Sequence, residues 1–384
     1  MALTKTQLMT GSLAIAALTA SLVIENSWKK RLHRQNDMLQ QKISRLTADN
    51  QLLADKIAKR SPAAPRLPTP PIQVSNSSAS DLDALQSANL FNRLKDKDLK
   101  LKSEQVEAYL RSSGRSAASL LAAYRTTGES ALLSEAMRNF PDDPRVAFEA
   151  VTRNDISPEE QRKWLEILKK SDPENALANY LSALDYFKTG QTDLAVKEFM
   201  AASGKHFEDY SSQRYQDDGE AYLAGGYSVA DAKFAAGYQL LLPQLKMTKD
   251  VALDMIELAK SYQQNGDSAS AQAALQMAVN LGQRYGETTS PGEPILSQLV
   301  GLSIEIRALS AMDPNAAYGS DGQTAQDGLN RIKQLSDNLK QQSHEVGALV
   351  PTMSDQDWII YNDRWQTFGE QNAYQWVINK YGQH

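Results

Sequence analysis

Four histidines are the only imidazoles available for acid–base or metal chemistry, and they stand far apart: His33, His206, His344 and His384. No two share the short spacing that puts a pair of ligands on one helical turn. There is no cysteine, which removes thiolate nucleophiles, disulfides and Cys-based zinc sites together. The nearest hydrolase-like signal is Gly226-Tyr227-Ser228-Val229-Ala230. It lacks the closing glycine, and no strand-like run precedes it as a nucleophile elbow requires. Those residues read instead as a turn between two helices, with Ser228 capping the second. The acid pairs Asp217-Asp218 and Glu159-Glu160 read as solvated or helix-start charges. No Gly-rich phosphate loop follows a strand. The sequence therefore offers no catalytic, cofactor-binding or metal-ligating set. A non-enzymatic role without a cofactor is expected, with an enzyme on an all-α solenoid as the lesser alternative.

Charge narrows the partners. Ten Lys and Arg against four acids give residues 1–60 a charge of +6, which leaves −11 for residues 61–384 against −5 for the whole chain. An acidic main body argues against nucleic acid as a partner, because a phosphate footprint needs clustered positive charge. Other proteins are the expected partners.

The elements that would position such partners begin at the N-terminus. Leu8–Ile24 carries no charge and would span ~25 Å as a helix, the short end of what crosses a bilayer. Trp28 would then sit at headgroup level. We read residues 1–27 as a single-pass anchor. The alternative is a cleaved signal peptide, with Lys5 as its basic end and Thr19 and Ser21 near the cut. Lys29, Lys30, Arg31 and Arg34 follow the span and by themselves place the body in the cytoplasm. The signal-peptide and N-in anchor readings both export it, and export is the reading preferred here. Over residues 28–60, Leu32, Leu39, Leu46 and Leu53 recur every seven residues, with Asn36, Ile43, Asn50 and Ile57 at the other core positions. Leucine at d with isolated Asn at a is the pattern of a parallel dimeric coiled coil, so residues 28–59 are expected to pair two copies. A lone amphipathic helix is the alternative. Residues 61–80 hold Pro62, Pro65, Pro68, Pro70 and Pro71, an extended spacer reaching up to ~60 Å.

From residue 81 onward helical periods recur without strand-like alternation, so an all-α fold is expected. Ser157-Pro158-Glu159-Glu160 has the cap, proline and acids of a helix start. One spacing occurs twice in register: Ala183, Tyr186, Gly190, Ala195, Phe199, Ala202, and Ala259, Tyr262, Gly266, Ala271, Leu275, Ala278. Small residues would let two helices approach, the aromatic and Phe199 or Leu275 would fill between them, and the glycine would turn the chain. This resembles the tetratricopeptide repeat (TPR). The family's first-helix Trp-Leu-Gly positions are Asn179, Ser182 and Ala183 in one copy and Met255, Leu258 and Ala259 in the other, a departure from its pattern, and residues 205–250 look irregular.

The resemblance implies a TPR-like α-solenoid over 81–285 and a concave groove that takes a peptide or partner helix. Its positions would be Leu177, Tyr180, Leu184, Phe187 and Lys188 in one copy, and Leu253, Ile256, Lys260, Gln263 and Gln264 in the other. Packing on a neighbouring hairpin explains the same apolar positions equally well. Residues 286–384 are expected to form a helical cap on the end of the solenoid, with Trp358, Tyr361, Trp365, Phe368, Tyr374, Trp376 and Tyr381 packed inside it.

Overall fold

Side-chain oxygens at the helix starts fix where this chain turns. Ser116, Ser157, Ser228 and Ser354 each accept the backbone N–H three residues ahead, and Asn175 accepts that of Leu177. Each satisfies a donor that the helix itself cannot. Thr324 and Asp327 close a reciprocal capping box. The computed structural model describes residues 90–94, 98–153, 155–286, 291–318 and 322–382. The expected anchor, the coiled-coil positions Leu32, Asn36, Leu39, Ile43, Leu46, Asn50, Leu53 and Ile57, and the linker lie outside the described residues.

The described residues are helical apart from one short strand pair, and they belong to one compact unit, Leu82–His384. In chain order the helices are α1 (Leu90–Leu94), α2 (Ser103–Ser112), α3 (Ala117–Thr127), α4 (Ser130–Asn139), α5 (Pro144–Val151) and α6 (Pro158–Ser171). There follow α7 (Ala176–Lys188), α8 (Thr192–Ala202), α9 (Ser211–Ala224), α10 (Val229–Tyr238), α11 (Pro243–Gln264) and α12 (Ser268–Gly286). The chain continues with α13 (Ile295–Ser310), α14 (Ala325–Leu349), α15 (Asp355–Phe368) and α16 (Glu370–Tyr381). Between α13 and α14, β1 (Ala317–Tyr318) pairs antiparallel with β2 (Gln323–Thr324).

Both matching segments are helical hairpins, α7–α8 and α11–α12. Gly190 and Gly266 turn them at φ +73° and +78°, a region L side chains rarely adopt. Ala183, Ala195, Ala202, Phe199 and their counterparts Ala259, Ala271, Ala278, Leu275 are buried. The aromatic between α7 and α8 is Tyr180, edge-on to Phe199 at 5.3 Å. Tyr186 sits half-buried beneath the Arg162 guanidinium, 4.2 Å from its ring centre. Residues 205–250 are also regular: α9 and α10 form a third tight hairpin, turned at Gly226 (φ +89°) and capped by Ser228.

The hairpins do not pack in the order they are made. The α9–α10 pair returns to α3 and α2, with Arg214 of α9 also reaching Glu149 of α5, and α11 takes the place beside α7. Three cores result. One joins α1–α4, α9, α10, α15 and α16, with Val146 of α5 and Val346 of α14. A second joins α7, α8 and α11–α14, and a third lies among α5, α6 and the start of α7. The C-terminal aromatics therefore do not cap the far end. Trp358 meets Phe234 edge-on at 5.3 Å and Trp365 meets Tyr215 at 5.0 Å, so α15 closes onto α9 and α10 while α16 rests on α14. Gly237 lies close under this contact: a Cβ there would be 3.3 Å from the Trp365 ring, which would have to give by a few tenths of an ångström.

Candidate functional site

The return of α9 onto α3 places four charges out of water. Arg125 ends the apolar face of α3, Glu149 lies on α5, and Arg214 and Asp218 lie one turn apart on α9. Each is about 5% exposed or less except Arg125, whose side chain is 10% exposed. Arg125 Nη2 meets Asp218 Oδ1 at 2.7 Å and its Nη1 meets Glu149 Oε1 at 2.9 Å. Arg214 Nε reaches the same Glu149 oxygen at 3.1 Å, and its guanidinium lies 5.6 Å from the Phe148 ring centre. The result is a linear chain, Asp218–Arg125–Glu149–Arg214, with two charges of each sign. Burial works against the charged form of Arg125, but Asp218 and Glu149 outweigh it and hold the pKa above its ordinary value. Such a network costs desolvation, so its geometry has to be good on every arm to persist.

A small cleft opens beside this chain, walled by Arg125, Arg145, Phe148, Tyr210, Arg214 and Asp217 among others. Its room is about 10 Å³, that of a single water. Small-molecule sites are typically ~300–1,000 Å³, so the cleft as it stands does not admit a substrate. Asp217 is half-buried at its edge, and burial pushes its carboxyl up to about 6, against the pull of Arg125 and Arg145. Tyr210 forms one wall with a left-handed backbone (φ +60°) that is unusual for a non-glycine residue. Its hydroxyl donates to Asp172 Oδ2 at 2.6 Å, and Asn175 Nδ2 donates to the same oxygen at 3.0 Å.

The acid pairs thus divide. Glu159 and Glu160 are exposed at the start of α6, as the sequence suggested. Asp218 corrects the same expectation for Asp217-Asp218, because Arg125, 93 residues away, gives it a partner in the interior. The available sequence signal was the Arg214–Asp218 pair on one face of α9, but nothing local named Arg125 as its third member.

The expected groove positions fall into two sets. Leu177 belongs to the third core, and Tyr180, Leu184 and Ile256 to the second, because α11 packs directly on α7 and covers these faces. Phe187 and Leu253 are half-buried, while Lys188, Lys260, Gln263 and Gln264 are exposed. Four of the six apolar members are thus core, divided between two cores, and the polar members stay at the surface. His206 and His344 are exposed and far apart in sequence, and among the described residues no group of His and acids is placed to hold a metal ion. Among the described residues no helix is long and apolar enough to cross a membrane.

No protein-family model matches the chain, and neither does any curated protein or solved structure.

Proposed function

We propose that this chain is a membrane-anchored, non-enzymatic scaffold whose helical body positions partner proteins. The observation that carries this reading is the order of segments. Uncharged Leu8–Ile24, the heptad leucines Leu32 to Leu53 and five prolines between Pro62 and Pro71 all precede a compact helical unit. Two anchored copies, paired through residues 28–59, would raise the effective concentration of whatever the bodies bind without any new contact. The body would face the exported side of the membrane.

Within this reading, α7–α8 and α11–α12 are TPR-like units. Supporting it are the shared spacing, the left-handed glycines at both turns and the buried small residues between the helices. The partner-facing positions are those of the expected groove that reach the surface: Phe187 and Lys188 at the end of α7, and Leu253, Lys260, Gln263 and Gln264 on α11.

The test is fractionation of a C-terminally tagged chain, with protease added from each side of the membrane. A tag that stays with membranes after alkaline washing supports the anchor, and the side on which it is cut gives the orientation. A soluble product beginning beyond Ile24 would replace this reading with a second one, an exported helical protein released by signal cleavage. Lys5 and the small residues Thr19 and Ser21 are what favour that alternative.

A further inference from the structure

The ion chain Asp218–Arg125–Glu149–Arg214 is neutral in itself, and Asp217 adds a charge that the junction does not match. Every neighbouring guanidinium already has a carboxylate: Arg125 has Glu149 and Asp218, Arg214 has Glu149, and Arg145 has Asp143 at 2.7 Å. Asp217 itself makes no hydrogen bond or ion pair among the described residues. The groups that face it are Tyr109 from α2, Arg125 from α3, Arg145 and Glu149 from α5, and Arg214, Asp218 and Glu220 from α9. It borders a cleft large enough for about one water, opposite the left-handed backbone of Tyr210. An unmatched carboxylate, a small cleft and a strained residue therefore coincide where α9 returns to α3 and α5.

We propose that this junction is a pH-responsive joint with Asp217 as its titrating group. Ionised Asp217 holds the joint loose, and protonated Asp217 lets α9 close on α3 and α5. The sign follows from burial, the largest influence on this carboxyl. Its value of about 6 in the folded chain lies above the ~3.9 of an exposed aspartate. A raised acid contributes stability that is fully present below ~3.9 and is lost as pH rises through the folded value. The joint therefore tightens on acidification from neutral pH.

Hydrogen exchange of the full-length chain in detergent tests this, with labelling times scaled for intrinsic exchange. Between about pH 7.5 and about pH 5, peptides from α3 and α9 should gain at most about tenfold in protection, because pH 5 lies only about one unit below the folded value, and the partial exposure of Asp217 trims the gain further. Asp217→Asn should be protected and flat across that range, while Glu159→Gln at the exposed start of α6 should follow the parent. An Asp217→Asn profile that tracks the parent overturns the proposal, as does a Glu159→Gln profile that is equally flat. Should Asp217→Asn fail to fold, carboxyl carbon NMR of the parent decides: a midpoint near 6 supports the joint, and one near ~4 removes its titrating group.

Discussion

Arg125 is held by carboxylates from two different helices, so deleting its charge leaves both Glu149 and Asp218 short of a partner in the interior. Breaking a buried pair from one side is far more damaging than replacing the pair as a whole. Arg125→Met is therefore expected to cost about 3–5 kcal/mol, read as a lower urea midpoint at unchanged slope. Arg125→Met with Asp218→Leu removes one charge of each sign and leaves Glu149 with Arg214. That double variant should recover much of the loss, and if it is worse than the sum of the singles, the charges are held for reasons other than mutual compensation. Tyr180 is decided by the same kind of argument. It is 4% exposed and edge-on to Phe199, so Tyr180→Ala should destabilise the second core by about 3–5 kcal/mol. Phe187→Glu, at a half-buried position packed against the edge of the same core, should cost less than Tyr180→Ala, about 1–2 kcal/mol, and on the scaffold reading proposed above should also weaken partner capture. Equal stability of Tyr180→Ala and the parent would reopen the groove.

At the scale of elements, glycine marks where two helices come closest. A Cβ on Gly282 of α12 would lie 2.6 Å from Glu305 Cγ and 2.8 Å from the Gly301 carbonyl oxygen on α13. Backbone cannot yield as a flexible side chain can, so Gly282→Ala must push α12 and α13 apart. The expected loss is about 1–3 kcal/mol, seen as a fall in Tm; an unchanged Tm would mean the helices separate freely. Gly282 also shows what kind of information the sequence carries. Ser157, Ser228, Gly190 and Gly266 could be assigned from the chain alone because caps and left-handed turns are settled by a few adjacent residues. The apolar stripe of α7 was equally legible, but a stripe states only that something covers it. That the cover is α11 and not a partner protein depends on residues some seventy positions away. Asp218 was misread for the same reason, since its partner belongs to α3. Gly282 gave no sign of its role, because a close approach exists only once the second helix is in place.

For the molecule as a whole, the out-of-order packing decides which parts stabilise each other. In a sequential solenoid with a terminal cap, removing the last two helices would uncover only the helices just before them. Here Trp358, Tyr361, Trp365, Ala373 and Val377 are buried in the same core as Leu90, Leu120, Tyr222 and Phe234. The last thirty residues thus complete the core of the first described helices, and the join is further tied by Tyr215 donating to Asn362 at 2.8 Å. Glu370, at the start of α16, also accepts the first backbone N–H of α13 at 2.7 Å. Ending the chain before Asp355 should therefore leave α1–α4, α9 and α10 with their apolar faces open to water. Hydrogen exchange should show protection lost throughout residues 103–139 and 211–238, while α11 and α12 keep most of theirs because their core is built from α7, α8, α13 and α14. Loss confined to α14 would point instead to a simple cap and would remove the case for a C-terminus that completes the core of the first described helices. The distinction bears on the scaffold reading, because the junction of α9 with α3 and α5 belongs to the half of the molecule that the C-terminus completes. A partner that dislodged α15 would loosen that junction from the far side of the same core.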